Sequence, residues 1–383
     1  MRSTPIQPSH ASYETAVPRA QLTRPRSGDS PAENLRPVSC STGMEGIGAA
    51  SAREFPAHLT WSHSKDNTLA SCARRFGLHY VLSKGGWRTD APSDVREAFR
   101  LKKLETLPTA VGSAVHRRAT ECVRAVTEGL PLPSLDALCD RTRSELNALV
   151  RSSRNIAAFE ANPSRVAMLR EVYYHADGAL EPAHVEAARA TMLTALETLF
   201  HLPLWDELRS LQNLKTSILI PDPFFRFRYN GRHVYAAPDL VFRFPSEDQA
   251  KSDAKWCIVD FKTGKTANHG EVDQVALYAL MVDAALGWPV GEGCEGRVIN
   301  LALDTVDCIS LTADDLADAA KRIESGTDRL WAMLLDDAGV PRSLSREDFP
   351  MTSRNEQCSY CAFKAACHPG IATAVAARRA AAA

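Results

Sequence analysis

The chain lacks any apolar run approaching the about 20 residues that a membrane-spanning helix requires. Its hydrophobic residues, 45% of 383, are interspersed with 24% charged ones, as in a soluble globular protein. It also lacks an excess of either charge: 45 Lys and Arg stand against 46 Asp and Glu, a formal net charge of −1. An anionic partner would therefore have to be held by a local patch rather than by a global field. Three such patches occur, in FRLKK (Phe99–Lys103), HRR (His116–Arg118) and FRFRYNGR (Phe225–Arg232). No G-x4-G-K-[ST] stretch is present, which excludes a Walker-type nucleotide site, and GMEGIG (Gly43–Gly48) has no strand–helix context. Internal repeats are missing too. So is a positively charged, then apolar, export signal, and the expected location is cytoplasmic. In that reducing setting, ten cysteines favour metal binding or buried thiols over disulfides.

What is there divides by composition. Residues 1–57, rich in Pro, Ser and Arg, are expected as a disordered tail, and one domain is expected over 58–370. Within 58–110, Leu69, Cys72, Ala73, Phe76 and Tyr80 recur at helical spacing, which predicts one amphipathic helix with Cys72 facing inward. Residues 111–215 read as a helical lobe punctuated by prolines, among them Pro131, Pro163 and Pro203. From 216 to 345 the pattern changes to strands. SILIPDPFFRFRY and RHVYAAPDLVFRF flank Asn230-Gly231, a hairpin signal, and KWCIVDFK predicts a third strand. A helix over EVDQVALYALMVDAAL, strands in RVINLALD and DCISL, and a helix capped by Thr312 and Asp315 complete this region. A cysteine cap over 346–370 and an Ala-rich tail over 371–383 follow. The expected fold class is α/β, a small mixed sheet flanked by helices and preceded by a helical lobe.

In CIVDFK a period of two puts Asp260 and Lys262 on one face and Val259 and Phe261 on the other. Alone, such a pair reads as a surface ion pair. The preceding segment adds Asp239, near the end of a neighbouring strand and directly after Pro238, which cannot join a ladder. Two carboxylates from adjacent strands can share a hard divalent cation. A lysine beside them can orient water and neutralise phosphate charge.

Pro238-Asp239 and Asp260-Phe261-Lys262 together resemble the bipartite motif of PD-(D/E)xK nucleases. VGSAVHRRA (Val111–Ala119) resembles the G-x-x-x-H element of the RecB/AddB-type branch, and DQVALYAL (Asp273–Leu280) resembles its Q-x-x-x-Y motif. Singly, His116 reads as a solvated histidine and Gln274 with Tyr278 as the rim of an amphipathic helix. In family order, they imply a DNA nuclease similar to CRISPR-adaptation nucleases and exonuclease V-type enzymes, expected to act as an exonuclease in repair, recombination or defence. The resemblance implies that His116, Asp239, Asp260 and the Phe261 carbonyl bind Mg²⁺ or Mn²⁺ and that Lys262 positions the attacking water. Gln274 and Tyr278 would contact substrate or brace the site, Arg74 and Arg75 would follow the DNA backbone, and any helicase would be a separate polypeptide. The rival expectation is a catalytically silent subunit of the same fold that binds DNA or scaffolds a complex.

QCSYCAFKAAC (Gln357–Cys367) has the spacing C-x2-C-x5-C, one thiolate short of the four that zinc or an iron–sulfur cluster usually takes. In members of the same branch an upstream cysteine completes such a triplet. SKDNTLASCARRF (Ser64–Phe76) resembles that segment, with Ala73 where the family commonly has proline. The resemblance implies a [4Fe–4S] cluster on Cys72, Cys358, Cys361 and Cys367, a clasp closing a very long loop, with zinc as the alternative. Of Cys40, Cys122, Cys139, Cys257, Cys294 and Cys308, Cys257 is expected as buried filler in its strand.

Overall fold

A computed structural model of the protein describes residues 59–382, apart from Ala176, 212–217, 220–225, 244–255, 265–269, 287–293 and Asn355. Every described residue belongs to one unit, Arg53–Ala383. The expected N-terminal tail and Cys40 lie outside the described residues, as does part of the run before the Asn-Gly turn.

The strands are β1 (Leu104–Glu105), β2 (Met168–Leu169), β3 (Ile218–Leu219), β4 (Arg226–Tyr229), β5 (Arg232–Tyr235), β6 (Leu240–Arg243), β7 (Trp256–Lys262), β8 (Glu295–Asn300) and β9 (Thr305–Ser310). Helices α1 to α3 span His63–Ser71, Ala73–Phe76 and Ser93–Lys102; α4 to α6 span Leu107–Thr127, Leu135–Ser152 and Ile156–Ala161. Then come α7 (Arg170–Tyr174), α8 (Pro182–Phe200), α9 (Leu204–Ser210), α10 (Glu271–Leu286) and α11 (Ala313–Leu334). The C-terminal helices are α12 (Glu356–Ser359), α13 (Lys364–Cys367) and α14 (Pro369–Ala382). Among the described residues no helix is long and apolar enough to cross a membrane.

The architecture is mixed α/β, as expected. The main sheet has the order β3-β6-β7-β8-β9, with β7 and β8 parallel and the other pairs antiparallel. Alternation along β7 sorts its side chains between two cores. Cys257, Val259 and Phe261 join a cluster built with α4, α8 and α9, so the helical lobe covers that face, and Cys257 is buried filler. Trp256 and Ile258 join a second cluster with Val275, Tyr278 and Val282 of α10 and Ile323 of α11. The same period directs Asp260 and Lys262 toward α10.

Two expectations about local structure are corrected and a third is given detail. The run after Gly231 is not one strand. It divides at Ala236–Asp239 into β5, paired with β4 and bridged to Trp61, and β6, paired with β3 and β7 in the main sheet. Pro238, lacking an N–H, falls in this break. Asn230 and Gly231 both take positive φ (44° and 77°), the conformation of a two-residue hairpin turn. Second, Cys72 is not inside a helix. Its extended backbone (φ −162°, ψ 109°) separates α1 from α2, and its Sγ accepts the Arg75 N–H at 3.5 Å like an N-cap. Ala73 is therefore the first residue of α2, a position where proline is also at home, which explains how either residue fits there. Third, the Ala-rich run is the helix α14, and its Val375 is buried in a cluster with Leu78, Leu101, Phe159 and Phe363. Alanine's helix propensity, together with this packing, makes the tail helical.

The N-terminal helix α1 is tied to α11 by charge. Buried Asp66 faces Arg322 at 3.2 Å and also binds Arg329, and Arg322 extends to Asn67 at 2.7 Å and to Asp273. Asp66→Ala would leave both arginines without this carboxylate, although each retains access to water. The expected loss is about 1–3 kcal/mol of unfolding free energy, read from denaturant midpoints. An unchanged midpoint would show that the cluster adds no stability.

Candidate active site

The site forms where β7 ends beneath α10. Asp260 is only 5% exposed, and the Lys262 amine lies 2.5 Å from its Oδ2. Two turns of α10 complete a network. Lys262 Nζ donates to Gln274 Oε1 at 3.0 Å, and Gln274 Nε2 donates to Tyr278 Oη at 2.6 Å and to Asp260 Oδ1 at 3.3 Å. Tyr278 Oη in turn donates to Asp260 Oδ1 at 3.4 Å. Gln274 and Tyr278 reach the same carboxylate because the i, i+4 spacing stacks them on the helix face turned to the sheet.

Asp239 immediately precedes β6, whose antiparallel register pairs Leu240 with Val259. The next step of that register brings Asp239 beside Asp260. Asp239 Oδ2 accepts the Phe261 N–H at 2.7 Å, and its Oδ1 lies 3.2 Å from His116 Nδ1 on α4. The approach of α4 depends on Gly112, since a Cβ there would stand 2.8 Å from Thr263 Oγ1, just beyond β7. One turn further along α4, His116 meets Asp239.

Electrostatics follow from burial. Desolvation pushes the Asp260 carboxyl upward, and the Asp239 charge adds to this, against the opposing pull of Lys262. Burial and then the Asp260 charge push the Tyr278 hydroxyl up, so it remains a donor. Burial lowers His116, but the hydrogen bond and charge of Asp239, followed by Asp260, outweigh it and raise the imidazole overall.

Among the described residues, no three His, Cys, Asp or Glu side chains close tightly enough on one point to enclose a cation. One buried atom nevertheless fits a cation. Asp260 Oδ2 has no aligned hydrogen-bond donor, although the Lys262 amine is close enough to count as an ion pair. The short distance reports charge contact and the missing bond reports poor alignment; both describe an oxygen with a free lone pair. Together with the Asp239 carboxylate and the His116 ring, it provides hard oxygen and imidazole donors suited to Mg²⁺ or Mn²⁺.

Two clefts flank the site and share Ala237. One of about 800 Å³ is lined by Lys65, Tyr80, Tyr235, Lys262, Gln274 and Tyr278. The other, of about 840 Å³, is lined by His116, Arg117, Arg124, Asp239 and Thr263. The sequence reading missed Lys65, Tyr80 and Tyr235 as wall residues. Their shared location depends on separate elements meeting, and no local motif signals it.

Arg74 and Arg75 are not wall residues of either cleft. The Arg74 side chain donates to the Phe349 carbonyl, and its backbone N–H donates to Pro350 O at 3.0 Å, so it braces α2 against the C-terminal segment. Arg75 is exposed. Both stand near the cysteines. Burial raises the Cys361 thiol and Arg75 pulls it down; burial raises Cys367 to about 11 and Arg74 pulls it down. Cys72, Cys358 and Cys361 each push the Cys367 thiol further up, and among the described residues no three of these side chains close on one point to enclose a metal ion. Besides the Cys72 contact, Cys361 Sγ accepts the Phe363 N–H at 3.4 Å. All four sulfurs are half-buried.

The family model of the PD-(D/E)XK nuclease superfamily matches residues 60–368. The chain belongs to that superfamily. No curated protein matches it.

The raised Asp260 carboxyl has a consequence for stability. A carboxyl whose folded value exceeds its unfolded one supports the fold while protonated, and that support fades as pH rises through the folded value. In the presence of a chelator, Asp260→Asn should therefore melt above the parent at pH 8, and the gap should narrow toward pH 4. A variant melting below the parent at every pH would contradict this reading.

Proposed function

We propose that the chain is a metal-dependent deoxyribonuclease of the RecB/AddB-type branch, acting as an exonuclease in DNA repair, recombination or defence. The observation that carries this reading is the Asp260–Lys262–Gln274–Tyr278 network standing beside Asp239 and His116 at the end of β7. His116, Asp239, Asp260 and the Phe261 carbonyl would hold Mg²⁺ or Mn²⁺. Bound there, the metal supplies Lewis-acid stabilisation of charge on the scissile phosphate.

The protein's own groups do the rest. Lys262 holds the attacking water and offers its charge to the phosphoryl oxygens as the transition state develops. Gln274, donating to Asp260 while accepting from Lys262, keeps acid and amine on the same side. Tyr278 remains protonated and fixes the Asp260 carboxylate.

The test is cleavage of end-labelled single- and double-stranded DNA by anaerobically purified protein, with Mn²⁺ and with EDTA. Lys262→Ala should lower turnover by about 10²- to 10⁴-fold while retaining fold and DNA binding, because Lys262 sits at the wet end of β7. Wild-type turnover by that variant would refute the mechanism. Binding without cleavage by the unmodified protein would establish the silent alternative.

We further propose that Cys72, Cys358, Cys361 and Cys367 hold a [4Fe–4S] cluster joining α2 to the C-terminal cap. Their half-burial, the action of Cys72, Cys358 and Cys361 on Cys367, and the N–H···S contacts support it. Protein purified without oxygen should be brown, and Cys72→Ser should lose the colour and unfold at lower temperature. Colourless protein with stoichiometric zinc would replace iron by zinc and leave the clasp intact; a stable Cys72→Ser variant with full metal content would overturn the clasp.

A further inference from the structure

The strand that carries Asp260 and Lys262 ends between the two clefts. Lys262 lines one of them, and the next two residues, Thr263 and Gly264, line the cleft of His116 and Asp239. The direction the chain takes at Thr263 and Gly264 therefore decides how the two sides of the site stand to each other. Thr263 also meets α4, since its Oγ1 lies 2.8 Å from where a Cβ on Gly112 would stand. This exit from β7 is held from β8. Leu301 N–H donates to Lys262 O at 2.8 Å. Asn300, level with Lys262 in the parallel register, donates from Nδ2 to Gly264 O at 2.9 Å. Asn300 is only 6% exposed, and its Oδ1 accepts the Ala302 and Leu303 N–H groups at 3.1 and 3.2 Å in the turn to β9.

The turn by itself asks only for an acceptor, which aspartate or serine would also provide. The amide donor aimed across at Gly264 is what asparagine adds, on an inner strand where its propensity is poor. We infer that Asn300 is a positioning residue of the candidate site. By holding Gly264 it keeps Thr263 against α4 at Gly112, and so keeps His116, one turn further along α4, on Asp239. The inference rests on the reading of His116 and Asp239 as metal ligands, and it assigns Asn300 no contact with metal or DNA. Lys262, by contrast, is fixed by Asp260 and Gln274, so the lysine side of the site has support of its own. Asn300→Asp isolates the donor. It retains an oxygen for the Ala302 and Leu303 N–H groups and sets a carboxylate oxygen against Gly264 O, where two acceptors repel. Asn300→Ser also keeps an acceptor for the turn, adds no charge and falls short of Gly264.

The test uses the full chain purified without oxygen. Mn²⁺ binding is followed by loss of the free-ion EPR signal and, separately, cleavage of end-labelled DNA is measured across a Mn²⁺ series. Asn300→Asp should raise the Mn²⁺ dissociation constant about tenfold, the low end for losing a supporting hydrogen bond around a metal site. The added negative charge would by itself favour a cation, so it cannot produce this loss. The same factor should appear in the Mn²⁺ concentration for half-maximal cleavage, while kcat at saturating Mn²⁺ stays within about threefold of the parent. Thr263→Ala should weaken Mn²⁺ binding similarly, and the double variant should be no weaker than the worse single one, because both changes break one series of contacts. Thermal unfolding in EDTA checks that each variant is folded, and Asn300→Ser takes the place of an Asn300→Asp that does not fold. Parent-like Mn²⁺ binding by the folded Asn300 variant overturns the inference, as do losses that multiply in the double variant. Mn²⁺ binding without DNA cleavage by the unmodified chain overturns the nuclease reading, and Asn300 is then judged by binding alone. An unmodified chain that binds no Mn²⁺ overturns both.

Discussion

Asp260 stands near the end of a strand that is apolar up to it, and helix α10 covers the face where its side chain emerges. A carboxylate in such a place must either take up a proton or find partners. The structure supplies partners: an amine two residues along the same strand and two polar side chains one turn apart on the covering helix. Even so, one oxygen is left without an aligned donor. The desolvation cost persists in a raised carboxyl, the condition under which a divalent cation would be most strongly welcomed. The packing of α10, the identity of residues 274 and 278 and the short step from β6 to β7 all answer to this one buried charge.

A second constraint is distance along the chain. One wall of the cleft beside Lys262 comes from α1 and the stretch after α2, far from β7 in sequence, so it must be fastened in place. Asp66 binds α1 to α11 through two arginines. Trp61 extends the small sheet, its N–H donating to His233 O and its carbonyl accepting from Tyr235. Arg74 reaches the Phe349 carbonyl, and the Phe349 ring covers Gly77 so closely that a Cβ there would fall 2.3 Å away. The cysteines lie at the end of this series of contacts. A group bound to them would add to a junction that packing and ion pairs already hold.

The cores on the two faces of the sheet differ in what they do for the site. The helical lobe brings α4, and hence His116, to Asp239 through the close passage at Gly112. The opposite core brings α10, and hence Gln274 and Tyr278, to Asp260. The candidate site is thus assembled across the end of the sheet from both layers, each delivering polar groups that the other cannot reach.

Much of this was legible in the amino-acid order because it depends on short-range periodicity. Period two along CIVDFK puts Asp260 and Lys262 on one face, i, i+4 spacing puts Gln274 and Tyr278 on one helix face, and Thr312 with Asp315 caps α11 through a local hydrogen bond. The break at Cys72, the division of one expected strand into β5 and β6, and the folding of the Ala-rich run were not legible. Each was decided by a partner distant in sequence: the C-terminal segment beside α2, the two sheets that compete for residues 232–243, and the apolar cluster that receives Val375. The sequence by itself determined which side chains would share a face. Only the tertiary structure decided which faces would meet, because burial and long-range pairing, unlike local periodicity, depend on where distant segments come to rest.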